Sequence, residues 1–518
     1  MDRRTFLLAT AGTLLAACAP TPQASQPVAQ SGAATPGAAG SGGTRRLTVA
    51  YTTDILGYDP YGHSESTQYA RWLHVYDPLV LRDEKSGNWV PHVAVSWSNP
   101  DPRTWQFKLR SDVVFSDGST LTAADVAYSY NRLKSDPGSQ QASTFANVES
   151  VTAPDSTTVE VKTKNPDAAF VTRLDNRVIL SKAHYDQMGK DAGDRQALGS
   201  GPYLLREFVP GQRFVLARNP RYWGPFKSVW DEVVFRPIPE AEPRVTALLN
   251  GEVDLIAEVP SQNIDRINGA GNAQVISARG NRILFVGFNP IIEPLQKVEV
   301  RQALSYAIDR DAIVNGVLQG HAYRLDGPIG PDMYSYDENL QPKYQFDPDK
   351  ARSLLAQAGY PNGFQVDFYT PVNRYPKDKD TSSAIVNMLG DVGVKASLQT
   401  PEWATFQDQY GKGQYAMYLI GRGDVVDPAE YLQQYFQTGV SKRLSGFSDP
   451  EVDQTLQAAN SEFDPPKRMQ LLRDAQSKIM RDAPADFLLQ YQDIYAASRK
   501  LTYTPPNNEY IFAWEVQG

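Results

Sequence analysis

Cysteine is almost missing from this chain of 518 residues, where Cys18 is the one thiol. That excludes disulfides, thiol catalysis and thiolate metal sites from the body of the protein. Long apolar runs are missing as well: Thr5 to Ala17 falls short of the about 20 residues a spanning helix needs, and no other run is long enough. Histidine is scarce, and no two of His63, His74, His92, His184 and His321 have the spacing of a metal pair on one helix face. They read as single surface side chains, and neither a metal nor a cofactor is expected. No glycine loop with a following Lys-Ser or Lys-Thr is present to cradle phosphate, and Gly-x-Ser-x-Gly is absent. Excess positive charge is absent too, since 51 Lys plus Arg face 59 Asp plus Glu for a net charge of −8. That balance argues against nucleic acid as a partner.

What is present begins at the N-terminus. Arg3-Arg4, the apolar stretch to Ala17 and the small residues before Cys18 have the three parts of an export signal. Asp2-Arg3-Arg4-Thr5-Phe6-Leu7 resembles the twin-arginine motif, which implies export in the folded state. Leu15-Ala16-Ala17-Cys18 resembles a lipobox; Cys18 is then the mature N-terminus, carrying a lipid that holds the protein to the outer face of a membrane. Residues 19–44 are nearly all Ala, Pro, Gly, Ser, Thr and Gln, too polar and too small to form a core, and read as a flexible tether.

The remaining residues are too many for one core, so two or three domains are expected. Leu47 to Tyr51, Trp105 to Leu109 and Thr158 to Lys162 read as strands. Leu121-Thr122-Ala123-Ala124-Asp125-Val126 reads as a helix start, with Thr122 as cap and Asp125 in the first turn. Asp347-Pro348, Asp427-Pro428, Asp449-Pro450 and Asp464-Pro465 repeat one device: Asp caps the free amides and Pro occupies the first helical position, where no donor is needed. At the second of them, Glu430 stands where a capping box places its acid. The helix after Pro348 is expected to stop at Gly359 and turn through Tyr360-Pro361-Asn362-Gly363 into a strand. Helix and strand alternating in this way predict an α/β fold. The 8 Trp and 27 Tyr are mostly core, with some available to a flat or amphipathic ligand.

Motifs then accumulate in order: Val75-Tyr76-Asp77-Pro78-Leu79-Val80, Pro91-His92-Val93-Ala94-Val95-Ser96-Trp97, Trp105-Gln106-Phe107-Lys108-Leu109-Arg110, Phe115-Ser116-Asp117-Gly118 and Leu121 to Val126. Gly199-Ser200-Gly201-Pro202-Tyr203, Arg218-Asn219-Pro220-Arg221-Tyr222-Trp223, Asn250-Gly251-Glu252-Val253-Asp254, Val300-Arg301-Gln302-Ala303-Leu304, Ala307-Ile308-Asp309-Arg310 and Leu355 to Pro361 follow. In this series the chain resembles the peptide/nickel type (family 5) of extracytoplasmic solute-binding protein, which feeds di- and oligopeptide importers of the ATP-binding cassette class. The resemblance implies a two-lobed α/β clamp of the periplasmic binding class II, with an extra subdomain in the N-terminal lobe. It divides the chain into the signal 1–18, the tether 19–44, lobe I (45–82, 196–282 and 488–518), its subdomain (83–195) and lobe II (283–487). The crossings fall in Ile283 to Asn289 and near Phe487 to Tyr495. It also implies a non-catalytic monomer that closes around a small solute and meets permease subunits at the membrane.

The resemblance further implies a ligand site. An aspartate of lobe II meets a peptide's α-amino group, and Gly421-Arg422-Gly423-Asp424-Val425-Val426-Asp427-Pro428 gives that role to Asp424 and leaves Asp427 to cap a helix. Trp403 matches a tryptophan lining the ligand channel. The chain departs from the peptide binders in having Arg422 at the place of an aromatic wall; it meets a ligand carboxylate or pairs with a nearby acid. Arg374, with Lys377 and Lys379, lies in the loop where some relatives place a carboxylate-binding arginine. Because of that departure an oligosaccharide, an opine-like compound or a metal chelate remains an alternative to peptide as cargo. An exported carboxylate-dependent hydrolase is the third reading.

Overall fold

Leu47, Val49 and Tyr51 sit two residues apart, and all three bury completely, which is what a strand with one face on a core requires. They form β1 (Arg46–Tyr51), the first element of a computed structural model that describes residues 44–63, 66–83, 88–331, 333–372, 374–423, 427–439 and 446–518. Next come the short pair β2 (Val80–Arg82) and β3 (Trp89–Pro91). A separate antiparallel sheet follows, with β4 (Ala94–Asp101), β5 (Thr104–Leu109), β6 (Val148–Asp155) and β7 (Thr158–Thr163) in the order β4-β5-β7-β6. Trp105, Phe107, Phe145 and Phe170 pack beneath it. The helix Ala123–Ser135 starts at Thr122, where Asp125 accepts a hydrogen bond from the Thr122 amide at 2.8 Å.

The main sheet is continuous across the molecule. It gathers β8 (Tyr203–Val209), β9 (Arg213–Arg218), β10 (Glu232–Pro237), β11 (Leu255–Ile256), the long β12 (Ala273–Phe288), β13 (Ala322–Arg324), β14 (Gln365–Tyr369), β15 (Lys395–Gln399), β16 (Met417–Arg422) and the long β17 (Ala485–Ser498). The order is β15-β14-β16-β12-β17-β11-β1-β10-β9-β8, with β13 on β17. Strands β12 and β17 run antiparallel, and the stretches expected to carry crossings lie along them. Their register shifts between Arg279 and Ile283, an irregularity that re-aims side chains.

The apolar cores divide along the same line. One collects side chains from Ile283 to Tyr491, and another joins Leu47, Phe107 and Leu180 to the tail residue Val516. A smaller cluster holds Val245, Ile256 and Ile494. Each of the four Asp-Pro pairs expected to cap a helix does open one: Asp347, Asp427, Asp449 and Asp464 all accept amide hydrogen bonds from the first turn. Gly359 follows the first of these helices at φ 91°, where a side chain would strain the backbone.

Two expectations are corrected. His63, His74 and His92 are buried rather than on the surface. His74 shows how a neutral ring is accommodated: Nδ1 lies 2.7 Å from the Ala70 carbonyl and Nε2 accepts from the Ala513 amide at 3.0 Å. Burial lowers its pKa to about 4, and that of His63 to about 3. Glu430 does not close a capping box. Its carboxylate pairs with Gln434 and Arg173 instead, while Asp427 is held by Arg468 Nη2 at 2.8 Å from both oxygens. Among the described residues no helix is long and apolar enough to cross a membrane.

Candidate ligand-binding site

Strand β16 is buried from Met417 to Ile420 and emerges at Gly421 and Arg422. The ring of Tyr375 covers that exit. A Cβ at residue 421 would come within 2.9 Å of it, so glycine permits the close approach, and the Tyr375 hydroxyl donates to the Gly421 carbonyl at 3.3 Å. Asp378, buried at the start of the helix Asp378–Asp391, fixes the loop by accepting from the amides of Arg374 and Tyr375 at 2.8 and 3.1 Å.

Trp403 opens the helix Trp403–Gly411, stacks on Phe406 and meets Tyr375 edge-on at 6.4 Å. The exposed guanidinium of Arg374 lies 5.0 Å from the Trp403 ring and 5.6 Å from that of Tyr375. A cation over a ring face is attracted by its quadrupole while its N–H groups stay available to an anion. Trp403 and Arg374, 29 positions apart in sequence, therefore form one wall. Arg422 adjoins it through Tyr375 and Gly421. It is half-buried, and its Nε has no hydrogen-bond partner among the described residues. The nearby Tyr431 phenol is raised well above its ordinary pKa by burial, with the Arg422 charge opposing. Asp424 and Cys18 lie outside the described residues.

Sequence reading missed the residues beneath this wall. Arg282, in the irregular stretch of β12, pairs with Glu509 of the C-terminal tail at 3.1 Å. A Cβ on Gly423 would lie 3.3 Å from the Arg282 guanidinium, so the strand, the tail and the chain leading to residue 424 meet at one place. Glu258 stands beside them and accepts from Thr52 Oγ1 at 2.8 Å. Solvent reaches Glu258, yet protein crowds it, and desolvation raises its carboxyl pKa. The Glu509 charge adds to that rise, while Thr52, Arg244 and Arg282 oppose it. Both glutamates hold left-handed φ angles, 53° and 63°, a strained conformation for a side-chain-bearing residue. The available signal was the polar run Arg279-Gly280-Asn281-Arg282 interrupting an otherwise apolar strand. Tyr375 had none, because its partners come from elsewhere in the chain.

A family model described as bacterial extracellular solute-binding proteins, family 5 Middle, matches residues 88–443. The chain belongs to this family. The solute-binding protein is 29% identical over 517 aligned positions to heme-binding protein A of Haemophilus influenzae, covering 93% of this chain and 92% of the relative. It is 28% identical to the dipeptide-binding protein of Escherichia coli K12, covering 86% and 89%. Among solved structures it is similar to HbpA2 of Haemophilus parasuis, at 25% identity and a TM-score of 0.81, covering 91% of this chain and 99% of that one. It is also similar to DppA of Helicobacter pylori in complex with the peptide STSA, at 25% identity and a TM-score of 0.74, covering 91% and 97%. The fold of this solute-binding protein is thus the expected mixed α/β two-lobed clamp, and the family is one of solute receptors.

Proposed function

We propose that this solute-binding protein captures a di- or oligopeptide between its lobes and delivers it to the permease of an ATP-binding cassette importer. The observation that carries the reading is the wall of Arg374, Trp403 and Tyr375 leading to Arg422 at the head of the segment that holds Asp424. A zwitterion enclosed by closing lobes needs both charges met, since an unpaired buried charge is costly. In this reading Asp424 meets the α-amino group, Arg374 or Arg422 meets a carboxylate, and Trp403 packs on the backbone or side chains.

The lobes are taken as 45–82, 196–282 and 488–518 for lobe I, 83–195 for its subdomain and 283–487 for lobe II. The separate cores, joined by β12 and β17, support that division. Cys18 carries the lipid, the twin-arginine motif directs export, and the tether 19–44 keeps a monomeric receptor within reach of the permease. Calorimetry with defined di- to hexapeptides tests the cargo: saturable binding that Asp424→Ala weakens strongly is expected, and no binding to any peptide removes the assignment.

An opine-like or other acidic cargo is the second reading. Arg374 and Arg422 supply more positive charge than one peptide carboxylate needs, and the similar structure AgaA was solved with agropinic acid. A thermal-shift screen separates the two, because a saturating ligand raises the midpoint by mass action.

A further inference from the structure

Between Ile283 and Tyr491 the apolar side chains that cluster pack into their own core, with one exception among the described residues. Phe463, in the turn between the helices Pro450–Ser461 and Pro465–Asp482, packs instead on the core built from the N-terminal part of the chain. Its ring lies 5.9 Å from that of Trp105, beside Phe107 and Phe170 in the small sheet's aromatic cluster. Two polar contacts accompany it. The amide of Ala168 donates to the Asn460 carbonyl at 2.8 Å, and Arg173 Nε lies 3.6 Å from Glu430 Oε2.

The receiving side is built in advance. Asp167, buried, grips Arg173 through two hydrogen bonds of 2.9 and 3.0 Å and accepts a third from Asn147. Its carbonyl accepts from Trp105 Nε1 at 3.0 Å. Arg173 is therefore held with Nε turned toward Glu430, and its guanidinium pKa is raised by the Asp167 and Glu430 charges against the cost of burial. On the other side, Asn460 stands in the last turn of the helix Pro450–Ser461, and Phe463 sits in the turn that Asp464 closes by capping the next helix.

From these contacts we infer that the Phe463 turn is a closure latch: lobe II docks Phe463 into the aromatic cluster of the inserted subdomain, and Arg173 with Glu430 aligns the docking. The inference rests on the two-lobed reading but not on the identity of the cargo. Glu430, the acid of this contact, stands in the first turn of the helix Pro428–Phe436, which Asp427 caps. Opening exposes Phe463 and the aromatic cluster to water, so the apolar contact favours the closed arrangement without reference to ligand. The inserted subdomain thereby gains a task in closure.

The test uses the near absence of cysteine. In a chain carrying Cys18→Ser, the pair Ala168→Cys and Asn460→Cys places two thiols where backbone atoms lie 2.8 Å apart, within the reach of a disulfide. Mild oxidation should close the bridge in the ligand-free protein, and Phe463→Ser should slow it about tenfold by shifting the population toward open forms. Glu430→Gln, a change at the half-buried rim that leaves both cores intact, should slow it to a smaller degree. Small-angle scattering of the same proteins without the cysteine pair should show a larger radius of gyration in Phe463→Ser. Equal bridging rates in parent, Phe463→Ser and Glu430→Gln, or no bridging in the parent, would overturn the latch. If Phe463→Ser does not fold, Glu430→Gln and Arg173→Gln decide by the same rate. Peptide binding with an unaltered bridging rate would leave the cargo reading intact and remove the latch alone.

Discussion

Arg282 and Glu509 form an ion pair of 3.1 Å that ties the irregular stretch of β12 to the C-terminal tail, with Gly423 packed against the same guanidinium. The pair neutralises one of two glutamates that otherwise face each other, since Glu509 raises the Glu258 carboxyl by repulsion. Both partners keep about a fifth of their side-chain surface in solvent, so the pair's own contribution is about 1 kcal/mol. Arg282→Gln should lower stability by that order in urea unfolding, and adding Glu509→Gln should recover part of the loss. A simple sum of two losses would show that the charges are not coupled.

The wall predicts coupling of another kind. For a dipeptide ligand, Trp403→Ala and Arg374→Ala should each weaken binding about tenfold. Because Arg374 lies over the Trp403 ring at 5.0 Å, the double variant should lose less than the product. Calorimetry of the four proteins checks this; full additivity would mean that the two side chains meet ligand independently or that one of them does not meet it.

Asp427 carries two structural loads, capping its helix at Ala429 and holding buried Arg468 through both oxygens. Asp427→Ala strands a buried guanidinium and should cost about 3–5 kcal/mol. The double variant Asp427→Asn with Arg468→Met, which removes both charges, should be markedly more stable than Asp427→Ala. Equal unfolding midpoints for the two would refute the pairing argument.

The buried imidazole of His74 predicts a pH dependence. Its pKa is lowered from 6.5 to about 4 in the folded protein, mainly by burial, so between those values the unfolded chain binds the extra proton. Stability from this group is complete above pH 6.5 and is lost as pH falls toward about 4. Protonation of Nε2 also breaks the hydrogen bond from Ala513, freeing part of the tail. Urea unfolding of the parent and of His74→Gln at pH 7 and pH 4.5 should show a smaller acid loss in the variant; identical losses would place the acid sensitivity elsewhere.

Local chemistry was readable where a short segment contains its own cause. The four Asp-Pro caps, the stop at Gly359 and the strands at Leu47, Trp105 and Thr158 are set by residues within a few positions of one another. Glu430 failed that reasoning because a distant cation, Arg173, competes for its carboxylate. The buried histidines failed because spacing on one helix face says nothing of the elements that later cover it.

The sequence by itself determined the order of motifs, the family resemblance and the positions of helix starts, all of which follow from neighbours along the chain. Only the tertiary structure decided that Arg374 lies over Trp403, that Tyr375 links them to Arg422, that Arg282 meets Glu509, and that Phe463 leaves its own core for another. The physical reason is separation. These partners come from different elements, and their contacts arise when packing of two cores and the long pair β12 and β17 brings those elements together.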